Sequence, residues 1–168
     1  MPCSFAPIID GNTRILVIGT MPGAVSLERQ EYYAHERNLF WKVVSGTFCG
    51  GRPFASYEEK KACLAGNHIG LWDSVQSCHR VGSLDSAIKN AVPNDFAALL
   101  KQYPRTQRLL FNGQKAFRLF ERFYPDILEY VDYEVLPSTS PANAAVPYEK
   151  KLELWREALR GRAVSGRC

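Results

Sequence analysis

The sequence has few of the side chains that hold metal ions. It contains five cysteines and three histidines in 168 residues, and no pair of cysteines has the CxxC spacing. Structural zinc sites use closely spaced cysteines and histidines. We therefore expect no metal and no cofactor. The odd number of cysteines, with no secretory signal pattern at the amino terminus, favours a reduced protein of the cytoplasm.

Long apolar runs and a strong charge of either sign are also missing. No apolar run approaches the roughly 18 residues that a membrane helix needs, which argues against a membrane protein. The net charge is +4, with 46% hydrophobic and 23% charged residues. A mildly basic chain suits a DNA-contacting enzyme without requiring one. No repeat, low-complexity stretch or linker divides the chain, so we expect one domain over residues 1–168 and a monomer.

Short apolar runs alternate with helical patterns along the chain. Candidate strands cover residues 15–18, 69–75, 108–111 and 133–136, and a loop is expected over 77–86. Candidate helices cover 39–48, 57–65, 94–100, 114–123 and 148–159. This alternation indicates a parallel sheet with helices on both faces. The predicted fold class is α/β, a single-domain, three-layer α/β/α structure with a mostly parallel central sheet of about four strands.

The loop that follows the first strand is the first candidate site. It reads Gly19, Thr20, Met21, Pro22 and Gly23. A tight strand-to-helix turn would explain these residues without any function, and no Gly-Lys-Ser/Thr follows to make a phosphate loop. The functional interpretation is a pocket for a flat base, because glycine lets the backbone approach a ligand closely.

The second candidate site lies in residues 32–41, which carry two adjacent tyrosines and an asparagine. Tyr33 and its neighbour could be half-buried core residues or a platform for a base. Asn38 could cap the helix predicted after it, and capping would fix its rotamer while its amide orients a water molecule. His35 lies three residues before Asn38 and has no metal-binding spacing.

The third candidate site is the hydroxyl-rich loop after the last predicted strand. It contains Ser138, Thr139, Ser140, Pro141 and Asn143. A capped turn is the simple interpretation. The functional one is a DNA clamp, because hydroxyl and backbone N–H groups bind phosphate oxygens. Loops at the carboxyl ends of parallel strands are also where α/β proteins place their binding sites.

Taken in order, residues 19–23, 33–41, 111–117 and 136–143 resemble the active-site motifs of the uracil-DNA glycosylase superfamily. The resemblance is closer to the hypoxanthine-DNA (deoxyinosine) glycosylases than to the mismatch-specific uracil/thymine glycosylases. It implies a glycosylase acting on DNA that contains a deaminated base. It also implies a base pocket formed by Gly19, Thr20, Met21, Pro22 and Tyr33, with DNA contacts from residues 138–143.

One departure from the mismatch-specific pattern concerns the attacking water. Those enzymes carry a water-positioning asparagine in the first loop, where this chain has Met21. A thioether cannot orient a nucleophile. The deoxyinosine branch is similar in lacking that asparagine, and the resemblance assigns the water-positioning role to Asn38. The implied reaction is monofunctional hydrolysis that releases hypoxanthine, since no lysine is identified as a Schiff-base nucleophile.

Three alternatives stay open at this point. The chain could be a mismatch-specific uracil/thymine glycosylase, or a non-catalytic nucleic-acid-binding domain. A serine hydrolase using Ser138 or Ser140 is disfavoured, because the G-x-S-x-G elbow is absent. The sequence does not assign roles to His35, Asp73 and Asp85.

Overall fold

The computed structural model describes residues 4–79 and 89–161. In chain order, the strands are β1 (Ile15–Gly19), β2 (Ile69–Asp73), β3 (Val75–His79), β4 (Lys89–Pro93), β5 (Arg108–Asn112) and β6 (Asp132–Leu136). The helices are α1 (Ala24–Arg29), α2 (Phe40–Phe48), α3 (Tyr57–Gly66), α4 (Phe96–Gln102), α5 (Gln114–Phe123) and α6 (Tyr148–Leu159), with a short 3₁₀ helix at Ile127–Glu129. Within the described ranges, none of these helices is long and apolar enough to cross a membrane.

The central sheet contains four parallel strands in the order β2-β1-β5-β6. The chain passes from β1 to β2 on one side and later returns to β5 on the other side. The carboxyl ends of β1 and β5 therefore flank the point where the strand order reverses. Open α/β sheets bind their ligands in the crevice at such a point.

Both faces of the sheet are covered, which confirms the predicted three-layer α/β fold. Val17 and Leu71 face a core formed with α2, α3 and α6, in which Phe40 and Trp155 are fully buried. Leu16 and other residues of the opposite face pack against α4 and α5. The side chains of β1 alternate between the two cores, as the period of two in a strand requires.

The predicted strand over residues 69–75 is in fact two elements. β2 ends at Asp73, and β3 begins at Val75 and pairs with β4 as an antiparallel hairpin. Ser74 fixes the break: its N–H donates to the Gly19 carbonyl at 2.7 Å, and its hydroxyl donates to the Ala116 carbonyl at 2.9 Å. The loop predicted over 77–86 therefore begins inside β3, and its residues from 80 onward, Asp85 among them, lie outside the described residues.

Helix starts deviate from prediction by at most a residue or two. Ser56 caps α3 by accepting the Glu59 N–H at 3.1 Å, as its spacing predicted. For α4 the capping side chain is Asp95 rather than the residue before it. The side chain of Asn94 instead donates to the Asp73 carbonyl at 2.8 Å, so it connects the hairpin region to β2.

Candidate active site

A cavity of about 390 Å³ lies at the carboxyl ends of the central strands. All eleven residues predicted for the site line it: Gly19, Thr20, Met21, Pro22, Tyr33, Asn38, Ser138, Thr139, Ser140, Pro141 and Asn143. The structure thus places together three segments, of which the first and the last are more than a hundred residues apart in sequence. The catalytic, base-binding and DNA-binding roles given to these residues stay predictions.

The floor of the cavity is formed where β1 and β2 end side by side. Gly19 and Asp73 are partners in the sheet register. A Cβ atom on Gly19 would lie 2.6 Å from Oδ1 of Asp73 and 2.8 Å from the hydroxyl of Tyr33. The glycine is therefore required so that a carboxylate and a phenol can converge on the end of β1.

Met21 takes part in packing rather than in polar chemistry. Its side chain is buried and belongs to a small apolar cluster with Val75 and Leu119. The loop is held by the Thr20 carbonyl, which accepts the Val75 N–H at 3.1 Å. A buried thioether in this place does not polarise water, which is consistent with the prediction that another segment positions the nucleophile.

The two adjacent tyrosines both line the cavity but differ in burial. Tyr32 is buried, and its hydroxyl donates to the Ala6 carbonyl at 2.9 Å. Burial, and after it the nearby negative charge of Asp73, raises the pKa of Tyr32. Tyr33 has φ of 54°, a left-handed conformation that is costly for a bulky residue. This turn directs its ring to the cavity, where it packs on Phe40 with ring centroids 4.3 Å apart.

Asn38 lies on the cavity wall directly before α2. Its Oδ1 accepts the Phe40 N–H at 2.9 Å, and its own N–H donates to the His35 carbonyl at 2.9 Å. The sequence predicts that Asn38 caps a helix from residue 39. In the structure α2 begins at Phe40 and its N-cap is Leu39, so Asn38 lies one residue outside the cap position, where its Oδ1 accepts the first helical N–H. The Nδ1 atom of His35 accepts the Arg37 N–H at 3.1 Å, which shapes the same turn.

The hydroxyls of the third segment differ in exposure. Ser138 and Ser140 are half-buried, and their oxygens accept the N–H groups of Ser140 and Ala142 at 3.2 Å each. A hydroxyl that accepts such a bond still has its proton to donate. Thr139 is 0% exposed, and its hydroxyl and N–H both bond the side chain of Asn112 at 2.9 Å.

Helix α6 holds the loop of residues 137–143 through two hydrogen bonds from its side chains. Lys151 is 1% exposed, and its Nζ donates to the Asn143 carbonyl at 2.6 Å. Burial lowers the pKa of this lysine. The indole N–H of Trp155 donates to the Pro137 carbonyl at 2.9 Å, and its ring packs edge-on against Phe40. One helix therefore contacts the loop of residues 137–143 and the first residue of α2.

Sequence reasoning left several cavity residues without a role, His35, Asp73 and Asn112 among them. Asp73 and Asn112 both line the cavity and are nearly buried, at 3% and 8% exposure. Each is the last residue of a parallel strand whose other residues are mostly apolar. A polar residue ending such a strand is the signal that could have identified them. In the described part of the chain, no group of three or more histidine, cysteine, aspartate or glutamate side chains is placed to hold a metal ion.

The fold agrees with the family that the chain matches. The model of the uracil DNA glycosylase superfamily matches residues 6–160, and this chain belongs to that superfamily of DNA glycosylases. Two curated relatives, both named hypoxanthine DNA glycosylase, come from Methanosarcina acetivorans and Methanosarcina barkeri. Each is 35% identical over 158 residues, covering 93% of this chain and 96% of the relative.

A solved structure gives the same result for the fold. The solution NMR structure of a candidate uracil DNA glycosylase from Methanosarcina acetivorans superposes with a TM-score of 0.81. The two chains are 33% identical, and the match covers 95% of this chain and 96% of the other. The similarity therefore extends over nearly the whole of both chains.

Proposed function

We propose that this DNA glycosylase hydrolyses the N-glycosidic bond of deoxyinosine in DNA and releases hypoxanthine. The observation that carries the proposal is that Asn38 lines the same cavity as a first loop whose third residue is a buried methionine. The names of the two curated relatives support the choice of base. The substrate is DNA, and the products are free hypoxanthine and an abasic site.

The nucleotide must leave the duplex before its glycosidic bond is accessible. Flipping costs a few kcal/mol and costs least for mispaired bases, which favours deaminated bases as targets. The extruded base stacks on the ring of Tyr33, and its edge meets the backbone of Thr20 and Met21. The rigid turn around Tyr33 holds the ring in place before the base arrives, which lowers the entropy lost on binding.

Asp73 supplies a means of selecting deaminated purines. Deamination of adenine replaces the N1 acceptor by an N1–H donor. The carboxylate of Asp73 lines the base cavity, and an ionised carboxylate only accepts hydrogen bonds. It therefore binds the N1–H of hypoxanthine and disfavours the lone pair on N1 of adenine.

Asn38 positions the attacking water. The C1′–N9 bond breaks with its electron pair on the base, and the sugar gains oxocarbenium character. Water held by the amide oxygen of Asn38 adds to C1′, and its proton passes to the released base. Amide positioning contributes orientation rather than strong base catalysis.

The loop of residues 138–143 binds the DNA phosphates on either side of the flipped nucleotide. Ser138 and Ser140 donate their hydroxyl protons to phosphate oxygens, and Pro141 and Asn143 shape the loop. Thr139 holds the loop from inside. The proposed enzyme is a monomer of one domain. It acts in the cytoplasm and needs no metal or cofactor.

A panel of oligonucleotides tests the substrate. The purified protein is incubated, in the presence of a chelator, with duplexes carrying inosine, uracil, xanthine or ethenoadenine, and abasic product is measured after alkaline cleavage. We expect product from inosine DNA with the chelator present. Strong release of uracil without hypoxanthine would instead favour the mismatch-specific alternative, and no release from any duplex would favour a non-catalytic DNA-binding domain.

A further inference from the structure

Thr139 uses all of its polar groups to connect separate parts of the fold. Its N–H donates to Oδ1 of Asn112 at 2.9 Å, and its hydroxyl accepts from Nδ2 of the same residue at 2.9 Å. Its carbonyl accepts the Leu39 N–H at 3.0 Å. This threonine is 0% exposed, so these bonds lie in the interior of the protein.

These bonds connect the end of a core strand to the residue beside Asn38. Asn112 ends β5, whose register with β1 and β6 fixes its position in the sheet. From there the contacts run through Thr139 to Leu39, and Leu39 is covalently next to Asn38. We name the two side-chain bonds between Asn112 and Thr139, with the Thr139–Leu39 bond, the Asn112–Thr139 bridge.

Gly113 keeps the bridge short. It has φ of 96°, and a Cβ atom there would lie 3.0 Å from Cβ of Ser138. The glycine lets the loop of residues 138–143 approach the end of β5 closely enough for both hydrogen bonds between the Asn112 side chain and Thr139. The Gly113 N–H also donates to the Leu136 carbonyl at 2.9 Å, which aligns the two chain segments where they leave the sheet.

We propose that Asn112 is a positioning residue for hydrolysis, which acts on Asn38 through the Asn112–Thr139 bridge. The inference rests on the proposed function, because it requires Asn38 to hold the attacking water. The turn that carries Asn38 is irregular from residue 35 to residue 39, and the bridge fixes its last peptide group to the sheet. Misplacement of a reacting group by about 1 Å costs about 100-fold in rate.

A double-mutant cycle tests whether Asn112 acts through Asn38. Single-turnover cleavage of inosine DNA is measured with saturating enzyme for the wild type, Asn112→Ala, Asn38→Ala and the double variant. We expect Asn112→Ala to cleave about 100-fold more slowly than the wild type while its affinity for abasic product changes by less than about threefold. In the Asn38→Ala background, the second substitution should slow cleavage by less than about threefold, because residues that act as a unit are not additive.

A matched pair at Thr139 serves as a control that leaves the cavity-lining amide in place. Thr139→Val is nearly isosteric but lacks the hydroxyl, whereas Thr139→Ser keeps it. We expect Thr139→Val to slow cleavage by about tenfold and Thr139→Ser to cleave at close to the wild-type rate. This pair also answers the question if Asn112→Ala fails to fold. Thermal melts of all variants identify any that do.

The outcomes separate the inference from the proposed function. A wild-type protein that releases no hypoxanthine contradicts the proposed function. If the wild type is active, equal slowing by Asn112→Ala with and without Asn38 overturns the inference, because Asn112 would then contact the base or sugar directly. Wild-type cleavage by Asn112→Ala, by Asn38→Ala or by Thr139→Val overturns it as well.

Discussion

The side chain of Asn38 is hydrogen-bonded to its own helix, with Oδ1 accepting the N–H of Phe40 at 2.9 Å. Leu39 is the N-cap residue of α2, but the Asn38 bond satisfies the first helical N–H, as a capping bond would, and at the same time fixes the rotamer of the amide at the cavity wall. A carbonyl oxygen has two lone pairs, so Oδ1 can accept a hydrogen bond from water while the Phe40 bond persists. Capping and water positioning are thus compatible in one side chain.

Substitution of Asn38 should separate these two roles. Asn38→Ala removes the cap at a cost of about 1 kcal/mol in the free energy of unfolding. We expect single-turnover cleavage of inosine DNA to fall by about 100-fold or more, because the water loses its orientation, while DNA binding survives. Asn38→Asp is the control: it caps as well as asparagine but adds a negative charge near the sugar and phosphates. Cleavage by a folded, DNA-binding Asn38→Ala at the wild-type rate would contradict the mechanism.

Selection through Asp73 can be tested without changing the protein. A duplex carrying 1-methyl-deoxyinosine keeps the 6-oxo group but has no N1–H. We expect the wild type to cleave it at least about tenfold more slowly than inosine DNA, since one hydrogen bond to a charged group is worth about 1.5 kcal/mol or more. Asp73→Asn should lose part of this discrimination. Equal cleavage of both duplexes by the wild type would remove Asp73 from base selection.

The close approach at Gly19 predicts a strong effect of one added methyl group. In Gly19→Ala the new Cβ would meet the Asp73 carboxylate at 2.6 Å and the Tyr33 hydroxyl at 2.8 Å, so the cavity floor must rearrange. We expect base release to fall sharply. Gly66→Ala is the matched control, because no atom lies within 4 Å of the added Cβ there. That variant should cleave normally and be slightly more stable, by about 0.5 kcal/mol.

The grip on DNA should depend on neutral hydroxyls as well as on charge. Ser138→Ala with Ser140→Ala removes two donors to phosphate, so binding to abasic product should weaken by about tenfold or more. The slope of log affinity against log salt should stay the same, because that slope counts phosphates neutralised by cations. Fluorescence anisotropy at several salt concentrations measures both quantities. Unchanged affinity in a folded double variant would show that these hydroxyls do not contact the backbone.

Stability at alkaline pH should follow the buried tyrosines. The pKa values of Tyr32 and Tyr57 are raised, chiefly by burial, so above about pH 10 the unfolded chain releases protons that the folded chain keeps. The free energy of unfolding should therefore fall as pH rises past about 10. Tyr32→Phe removes the contribution of this hydroxyl and should make the decline less steep, although the variant also loses the hydrogen bond to the Ala6 carbonyl. Urea unfolding of both proteins at pH 8 and pH 10.5 measures the difference, and an equal decline in the two would assign it to other groups.

Local patterns were sufficient to predict most of the fold. The β-branched run predicted strand β1, and the apolar spacing predicted helix α6, because burial on one or both faces of an element leaves a pattern of apolar residues in the sequence. The break at Ser74 could not be read, since it depends on hydrogen bonds to Gly19 and Ala116, which are distant in the chain. The six-residue α1 was also missed, because one and a half turns contain too few apolar positions to show a period.

For the site, residue types were predictable but their orientations were not. Thr139 was placed among the DNA-contacting hydroxyls, and the structure instead directs its hydroxyl toward Asn112. Neighbouring serines and threonines in a loop look alike in sequence, and only the tertiary partners distinguish an inward from an outward hydroxyl. The sequence likewise contains Asp73 but gives no role for it. That role depends on Gly19, its partner in the sheet, which is 54 positions away in the chain.

The contacts of Trp155 make its fluorescence a probe of the site. This indole is in the core, yet its N–H donates a hydrogen bond to the Pro137 carbonyl, at the start of the loop of residues 137–143. Its ring packs on Phe40, the first residue of α2. Indole emission changes with the polarity and hydrogen bonding of its surroundings. In a protein with phenylalanine at Trp41 and Trp72, the remaining fluorophore would therefore follow, in real time and without a label, how the loop responds when damaged DNA enters and when the abasic product leaves.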